Sequence, residues 1–320
     1  EFGGPERLEI AEVPAPAGPV GDEVIVNVKA AGLNRADILQ RKGLYPPPVG
    51  YSPHIPGLEF AGAVTEAGPD SPFRAGDRVM GITAGEALAE FLNISSPLLI
   101  SIPDSLSYSE AAAIPEAFIT AYDALMSQAG LRAGETVIIH AVGSGVGLAA
   151  LRIAKAFGAR AVGTSRTEDK LEKCTALGLD HGILTAEGPH FAERVMDLTG
   201  GRGADVILDL VGGAYFGENL KALANGGRLM LVGLTAGSRA EFDLGVALTK
   251  RLTIRGTVLR SRSSVEKASA VAAFKRDLLP MFARGELRPD LDRVFKVKDA
   301  AEAHNYIESN ESFGKVVLEW

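Results

Sequence analysis

The segment Thr136 to Lys170, TVIIHAVGSGVGLAALRIAKAFGARAVGTSRTEDK, constrains the chain most, because its pattern fits only a narrow set of folds. Val137, Ile138 and Ile139 form the unbroken apolar run of a strand buried on both faces. Leu148, Leu151, Ile153 and Ala154 then recur at the spacing of one helical face, and Ala161 to Thr164 reads as a second strand. Between the first strand and the helix, Gly143, Gly145 and Gly147 remove side chains where the chain must turn. A turn of this kind brings backbone N–H groups and the positive end of a helix up to a phosphate. The segment is therefore the phosphate-binding half of a dinucleotide fold, with Ser144, Gly145, Val146 and Gly147 as the expected pyrophosphate contacts. Aligned on Gly147, the strict G-x-G-x-x-G spacing falls on Val142 and Ser144, so a tight strand-to-helix turn that binds nothing is the competing reading.

The end of the second strand bears on which dinucleotide binds. An acidic residue there would accept hydrogen bonds from an adenosine ribose and repel a 2′-phosphate. This chain instead has Thr164, Ser165, Arg166, Thr167 and, one turn on, Lys170. Hydroxyls and cations suit the extra phosphate, so NADPH is expected over NADH. Thr167 equally fits a helix N-cap followed by Glu168 and Asp169, and Arg166 and Lys170 also fit solvated surface positions.

A length of 320 residues with 46% hydrophobic content and 37 glycines suits two α/β domains. A net charge of −7 argues against a general nucleic-acid or anionic-membrane surface. No run of about 20 apolar residues occurs, so a cytoplasmic protein is expected, and the start at Glu1 implies that native residues precede it. Cys174 stands alone, which excludes an internal disulfide and a thiolate-rich zinc site; it reads as a small buried helix residue. The five histidines have no ligand-like spacing and read as structural or exposed.

Residues 1 to about 110 are β-rich, with Glu23 to Ala30 and Phe60 to Ala67 alternating in character. Ser107, Ser109 and Glu110 open an alanine-rich helical stretch, interrupted at Pro115 and closed near Gly130. Beyond Thr136, strands are expected at Val206 to Leu210, Arg228 to Leu234 and Leu252 to Val258, a helix at Ser264 to Arg284 and a last strand at Phe313 to Glu319. The fold class is therefore α/β.

Several segments together carry a resemblance: GGPE at Gly3 to Glu6, AGLNRADILQRKGLYPPPVG at Ala31 to Gly50, AAAIPEAFITAYDAL at Ala111 to Leu125, HAVGSGVGLAA at His140 to Ala150, LRSR at Leu259 to Arg262, and FGKVVLE at Phe313 to Glu319. The chain resembles the zinc-independent medium-chain dehydrogenase/reductases, and among them the zeta-crystallin-like NADPH:quinone oxidoreductases. The resemblance implies a GroES-like β-rich catalytic domain built from residues 1–113 and 259–320, with a doubly wound Rossmann-type NADPH domain inserted at 114–258. Zinc relatives place a cysteine near Asn34 and Gly-His-Glu near residue 58, where this chain has Gly57, Leu58 and Glu59. No metal is expected, and Glu59 is left with a structural role.

The resemblance further implies a small-molecule quinone substrate. Tyr45 would stack with or hydrogen-bond its ring beside the cofactor, and Asn34 would place an amide near the nicotinamide or the substrate oxygen. Their competing readings are a packed loop aromatic and a helix cap. Asp37 reads as a polar pocket residue or as the partner of Arg35 or Arg41. Thr120, Gly212, Gly233, Leu234, Val258, Leu259 and Arg260 would line the nicotinamide end of the cofactor, Arg260 equally reading as an ion-paired surface residue. Family members use a tyrosine near position 185 for the adenosine phosphate, and this chain has Thr185. The edge strand Leu252 to Val258 makes a homodimer the expected assembly. Reduction of an activated C=C bond, and a structural or RNA-associated cofactor-binding role, are the alternatives.

Overall fold

A computed structural model describes residues 2–320. It divides into two compact units, one running to Ile119 and resuming over Leu259–Trp320, the other formed by Thr120–Val258.

The first part of the chain lays down β1 (Glu23–Leu33), α1 (Arg35–Arg41), β2 (Glu59–Ala67), β3 (Arg78–Ile82), β4 (Phe91–Ser95) and β5 (Leu99–Ser101). Two short helices follow, α2 (Tyr108–Ala112) and α3 (Pro115–Tyr122). Ser107 caps α2, its hydroxyl accepting the Glu110 N–H at 3.2 Å while Glu110 reaches back to the Ser107 N–H at 2.8 Å. The helical stretch breaks before Pro115, as the sequence leads one to expect, and continues past α3 as a π-helical turn over Asp123–Gln128.

The second unit contains β6 (Thr136–Ile139), α4 (Gly145–Ala156), β7 (Arg160–Ser165), α5 (Glu168–Ala176), β8 (His181–Leu184) and α6 (Ala192–Leu198). It continues with β9 (Ala204–Asp209), α7 (Phe216–Ala222), β10 (Leu223–Leu231), α8 (Leu244–Lys250) and β11 (Thr253–Gly256). The chain then returns to the first unit with α9 (Ser264–Asp277), α10 (Leu279–Ala283), β12 (Leu291–Lys296), α11 (Ala300–Glu308) and β13 (Lys315–Glu319).

The sequence predicts one helix over Ser264 to Arg284, but two form, separated at Leu278. Pro280 has no N–H to continue the ladder and its ring clashes with the preceding turn, so the helix restarts there. The predicted strand Arg228 to Leu234 ends at Leu231, and Leu252 to Val258 shortens to β11.

In the first unit, β12-β13-β1-β2-β3-β5 form one sheet, with β4 also pairing to β1. Val24, Val26 and Val28 alternate onto one of its faces and pack with Phe60, Val79 and Leu99. A second apolar cluster joins α1 and α11 through Ile38, Ala303 and Ile307. The sheet of the second unit is wholly parallel in the order β11-β10-β9-β6-β7-β8. Its register sets Val162, Ile138, Ile207, Leu229 and Ile254 side by side in one row. Successive residues Val137, Ile138 and Ile139, and Val206, Ile207 and Leu208, are all buried, so both faces are covered and these strands read as continuous apolar runs. The order reverses between β6 and β9, and such a switch point opens a ligand crevice at the carboxyl ends of its strands. Among the described residues, no helix is long and apolar enough to cross a membrane.

Candidate functional site

The predicted pyrophosphate turn lies at the switch point, between β6 and α4. Ser144 caps α4, its hydroxyl accepting the Gly147 N–H at 3.1 Å. The N–H groups of Gly145 and Val146 open the helix with no carbonyl a turn earlier to take them. Gly147 is required there. A Cβ at this position would lie 2.5 Å from the Ala141 carbonyl oxygen and 2.6 Å from that of Val142. The N-terminus of a twelve-residue helix, its Gly145 and Val146 N–H groups left over by the Ser144 cap and its start closed against the preceding strand by a glycine, fits the pyrophosphate of a dinucleotide.

The residues expected around the adenosine phosphate separate into two groups. Arg166 and Thr167 are exposed, Lys170 lies in the first turn of α5, and the Ser165 hydroxyl accepts the Thr167 N–H at 3.2 Å. Thr167 stands at the N-cap position, although its side chain makes no capping bond. Thr164 differs. Its hydroxyl is buried against His140 Nδ1 at 2.9 Å, so its side chain is taken up by the interior and the expected phosphate contact is corrected to a structural one. The position of the family tyrosine is likewise internal: the Thr185 hydroxyl takes a bond from the Tyr215 hydroxyl at 2.8 Å.

His140 organises the strand ends. Asn219 donates to Asp209 at 2.9 Å, leaving its amide oxygen to accept from His140 Nε2 at 2.6 Å, so Nδ1 accepts from Thr164. Burial holds this imidazole below its ordinary range and therefore neutral. The Asp209 carboxylate also accepts the N–H groups of Val211 and Gly212 at 2.7 and 2.9 Å. Gly212 has φ +84°, and a Cβ there would meet the Gly237 carbonyl at 2.8 Å. Gly212, Gly213, Leu231, Leu234, Phe216 and Phe242 line a hollow in this unit. Gly233 follows β10, its N–H held by the Asp209 carbonyl at 3.1 Å, and Leu234 is exposed. Thr120 lies in α3, and Val258, exposed, ends the unit.

The first unit gathers the other candidates around buried charge. Glu59 and Lys315, 256 residues apart in sequence, form an ion pair at 2.5 Å with both side chains buried. The Lys315 ammonium also donates to the Leu33 carbonyl and to Asn34 Oδ1, each at 2.8 Å. Asn34 Nδ2 donates to Glu59 at 2.9 Å and to the Gly32 carbonyl at 3.3 Å. The Asn34 amide, expected at the nicotinamide or the substrate oxygen, is engaged on both sides by protein and braces the pair. Glu59 Oε2 takes the Glu116 N–H at 2.8 Å, which fixes the start of α3.

Asp37 pairs with neither Arg35 nor Arg41. Its carboxylate accepts the N–H groups of Asn34 and Gly57 at 2.7 and 2.9 Å, and burial raises its pKa to about 6 against those bonds. Arg260 is not on the surface either. It is 3% exposed and donates to the Ala84 carbonyl at 2.8 Å, the Tyr45 carbonyl at 3.0 Å and the Gln40 amide oxygen. Its guanidinium carbon stands 4.9 Å from the Tyr45 ring centroid. Tyr45 is thus half-buried, with one side stiffened by a cation, and Leu259 beside Arg260 is buried. Lys315, Gln40 and Glu116 were absent from the predicted set. Lys315 and Glu116 lie in the FGKVVLE and PEAF segments that carry the resemblance, but neither spacing shows that they share a site with Glu59.

Residues 21–121 match the alcohol dehydrogenase GroES-like domain, and residues 145–274 match the zinc-binding dehydrogenase domain. A quinone oxidoreductase of Sus scrofa is 31% identical over 99% of this chain and 95% of its own. A solved quinone oxidoreductase of Pseudomonas syringae pv. Tomato DC3000 is similar at 31% identity and TM-score 0.88, covering 100% of this chain and 98% of its own. A structure described as an NAD-dependent alcohol dehydrogenase is similar at 35% identity and TM-score 0.87, with the same coverage. The CurK enoyl reductase is similar at 28% identity and TM-score 0.88, covering 100% of this chain and 97% of its own. With a GroES-like unit, a doubly wound unit and near full-length likeness to quinone oxidoreductases, this chain belongs to the medium-chain dehydrogenase/reductase family.

Proposed function

We propose that the protein is an NADPH-dependent quinone oxidoreductase that works without a bound metal. The observation that carries this reading is the Tyr45 ring held against the Arg260 guanidinium in the catalytic unit. A flat acceptor needs a rigid aromatic face and nearby positive charge to steady the oxygen that becomes anionic, and this pair offers both. Tyr45 acts as the platform. Arg260, with its three bonds to Ala84, Tyr45 and Gln40, keeps that platform in place.

The bound dinucleotide would supply hydride. Gly145, Val146 and Gly147 hold its pyrophosphate with backbone N–H groups and the α4 terminus, and Ser165, Arg166, Thr167 and Lys170 favour a 2′-phosphate over a bare ribose. Gly212, Gly233, Leu234 and Val258 leave room for its nicotinamide end. Asn34 keeps Glu59 and Lys315 in register and so orders the start of α1 and α3. At the zinc-ligand positions this chain has Leu58 and the amide Asn34, neither of which suits zinc. The cation that faces Glu59 is the Lys315 ammonium.

The likeness to an enoyl reductase supports a second reading, hydride transfer to an activated C=C bond. One experiment separates the two: steady-state NADPH oxidation across a panel of quinones, enals and enoyl thioesters, with calorimetry of NADPH and NADH beside it. Quinones as the best acceptors and tighter NADPH binding are expected. Preference for an enoyl thioester, or equal binding of NADH, would overturn the corresponding part of the proposal. We also propose a homodimer through β11, which lies at the edge of its sheet with strongly exposed Leu244 and Leu248 on the preceding helix.

A further inference from the structure

Hydride alone leaves a reduced quinone one proton short, and none of the residues assigned above supplies it. We propose that Glu116 is the proton donor of the reaction, an acid presented at the N-terminus of α3, where its own N–H is held by Glu59. This inference rests on the quinone reading and extends it.

The geometry separates Glu116 from Glu59 and Asp37, the two acids whose charges act on it. Glu59 is wholly buried and committed to Lys315, Asn34 and the Glu116 N–H. Asp37 is equally buried and holds two backbone N–H groups. Neither can release a proton to a ligand without abandoning its bonds. The Glu116 side chain takes no hydrogen bond among the described residues and is half-buried, so it alone of the three remains accessible.

Burial first, and the Glu59 carboxylate second, keep this carboxyl protonated near neutrality. Glu59 from β2 and Asp37 from α1 oppose its ionisation, while Lys315 from β13 and Lys267 from α9 favour it. Arg260 and Tyr45 also feel its charge. Desolvation is the largest influence, followed by Glu59, and together they raise the Glu116 pKa to about 8. A general acid is most effective when its pKa lies near the working pH.

The quinone gains two electrons and one hydrogen as hydride, giving a hydroquinone monoanion. The Glu116 O–H bond breaks as the anionic oxygen takes the proton, forming the second hydroquinone O–H. The carboxylate then recovers a proton from water, so the net change is uptake of one proton per turnover.

The test uses the whole protein and 1,4-benzoquinone with NADPH. For the parent, kcat should fall as pH rises through about 8, because the active form is the protonated acid. Glu116→Gln should lower kcat at pH 7 by roughly tenfold or more and abolish that alkaline limb, with NADPH affinity, read by fluorescence, within twofold. Glu116→Asp, which keeps a carboxyl one methylene shorter, should be slower than the parent yet retain a limb. Independently of turnover, infrared difference spectra between pH 7 and pH 10 should show loss of a protonated-carboxyl band that is missing from Glu116→Gln. If Glu116→Gln does not fold, the Glu116→Asp profile and the parent's infrared titration decide the question. A parent active with quinones beside a Glu116→Gln variant of unchanged rate and pH profile overturns the assignment alone, as does the absence of the infrared band. A parent inactive with every quinone overturns the functional reading and this assignment with it.

Discussion

Replacing Lys315 with methionine tests whether the buried pair holds the catalytic unit together. Methionine keeps most of the volume and removes the charge, leaving Glu59, which is 0% exposed, without its cation. The Leu33 carbonyl and Asn34 Oδ1 lose their donor as well. Removing one partner of a buried pair typically destabilises by about 3–5 kcal/mol, because the remaining charge stays desolvated. For a unit of this size that corresponds to a Tm lower by roughly 10 °C. Lys296→Met provides the comparison, since the Lys296–Glu319 pair on the neighbouring strand is solvent-exposed, at 60% and 39%. An exposed pair contributes no more than about 1 kcal/mol. Urea unfolding followed by Trp320 fluorescence is the assay. This is the single tryptophan, its backbone N–H donates to the Lys29 carbonyl of β1, and its signal belongs to the unit that contains the pair. Adding Glu59→Leu to Lys315→Met should recover part of the loss by removing the stranded carboxylate, though not all, because the Glu116 N–H then lacks its acceptor. A Lys315→Met loss no larger than that of Lys296→Met would refute the reasoning.

Three further outcomes are expected. His304 is fully buried with both ring nitrogens unbonded, and burial with nearby Arg41 lowers its pKa to about 4 from 6.5. The folded state therefore binds its proton less readily than the unfolded chain, so the stability in question is complete above pH 6.5, falls as pH drops and is gone near pH 4. The loss should total about 3 kcal/mol, and His304→Leu should flatten that acid limb in denaturation measured across pH; an unchanged slope would refute it. Tyr45→Ala should reduce quinone kcat/KM about tenfold or more with NADPH affinity within a few-fold, while Tyr45→Phe retains activity if the ring is the platform; parental behaviour in both would reduce Tyr45 to loop packing. Light scattering at micromolar concentration should give a dimer, and a monomer would remove the β11 interface.

Much of the cofactor unit was legible because its signals are local. The run Val137 to Ile139, the turn at Gly147 and the helical face after it all lie within one short stretch, and β6 with α4 follows from them directly. The register row through Ile138, Ile207 and Leu229 repeats the same logic in each buried strand. Boundaries failed where tertiary geometry overruled pattern. Pro280 lies inside an otherwise helical run, and β10 stops at Leu231 because the chain must turn outward, with the N–H groups of Val232 and Gly233 taken by the Asp209 carbonyl. Thr164 misled for a related reason. Alternation in a strand decides which side a hydroxyl faces, and here the partner is His140, 24 residues earlier, whose burial no local motif announces.

The charged heart of the catalytic unit was the least legible part, and the cause is sequence separation. Lys315 meets Glu59 across 256 residues, a contact made when β13 pairs with β1 and β1 with β2, and Arg260 meets Gln40 of α1 across 220. Read alone, Asn34 is an amide free to touch a ligand, and Arg260 is a surface cation. Read in place, each is held by partners that need it. The same closure that consumes Asn34, Asp37 and Glu59 leaves Glu116 as the accessible acid, because its backbone N–H rather than its carboxyl binds the cluster. The groups that look most reactive in the sequence thus hold the site's shape, and the candidate donor is found by asking which acid of this cluster keeps its carboxyl out of the network of bonds.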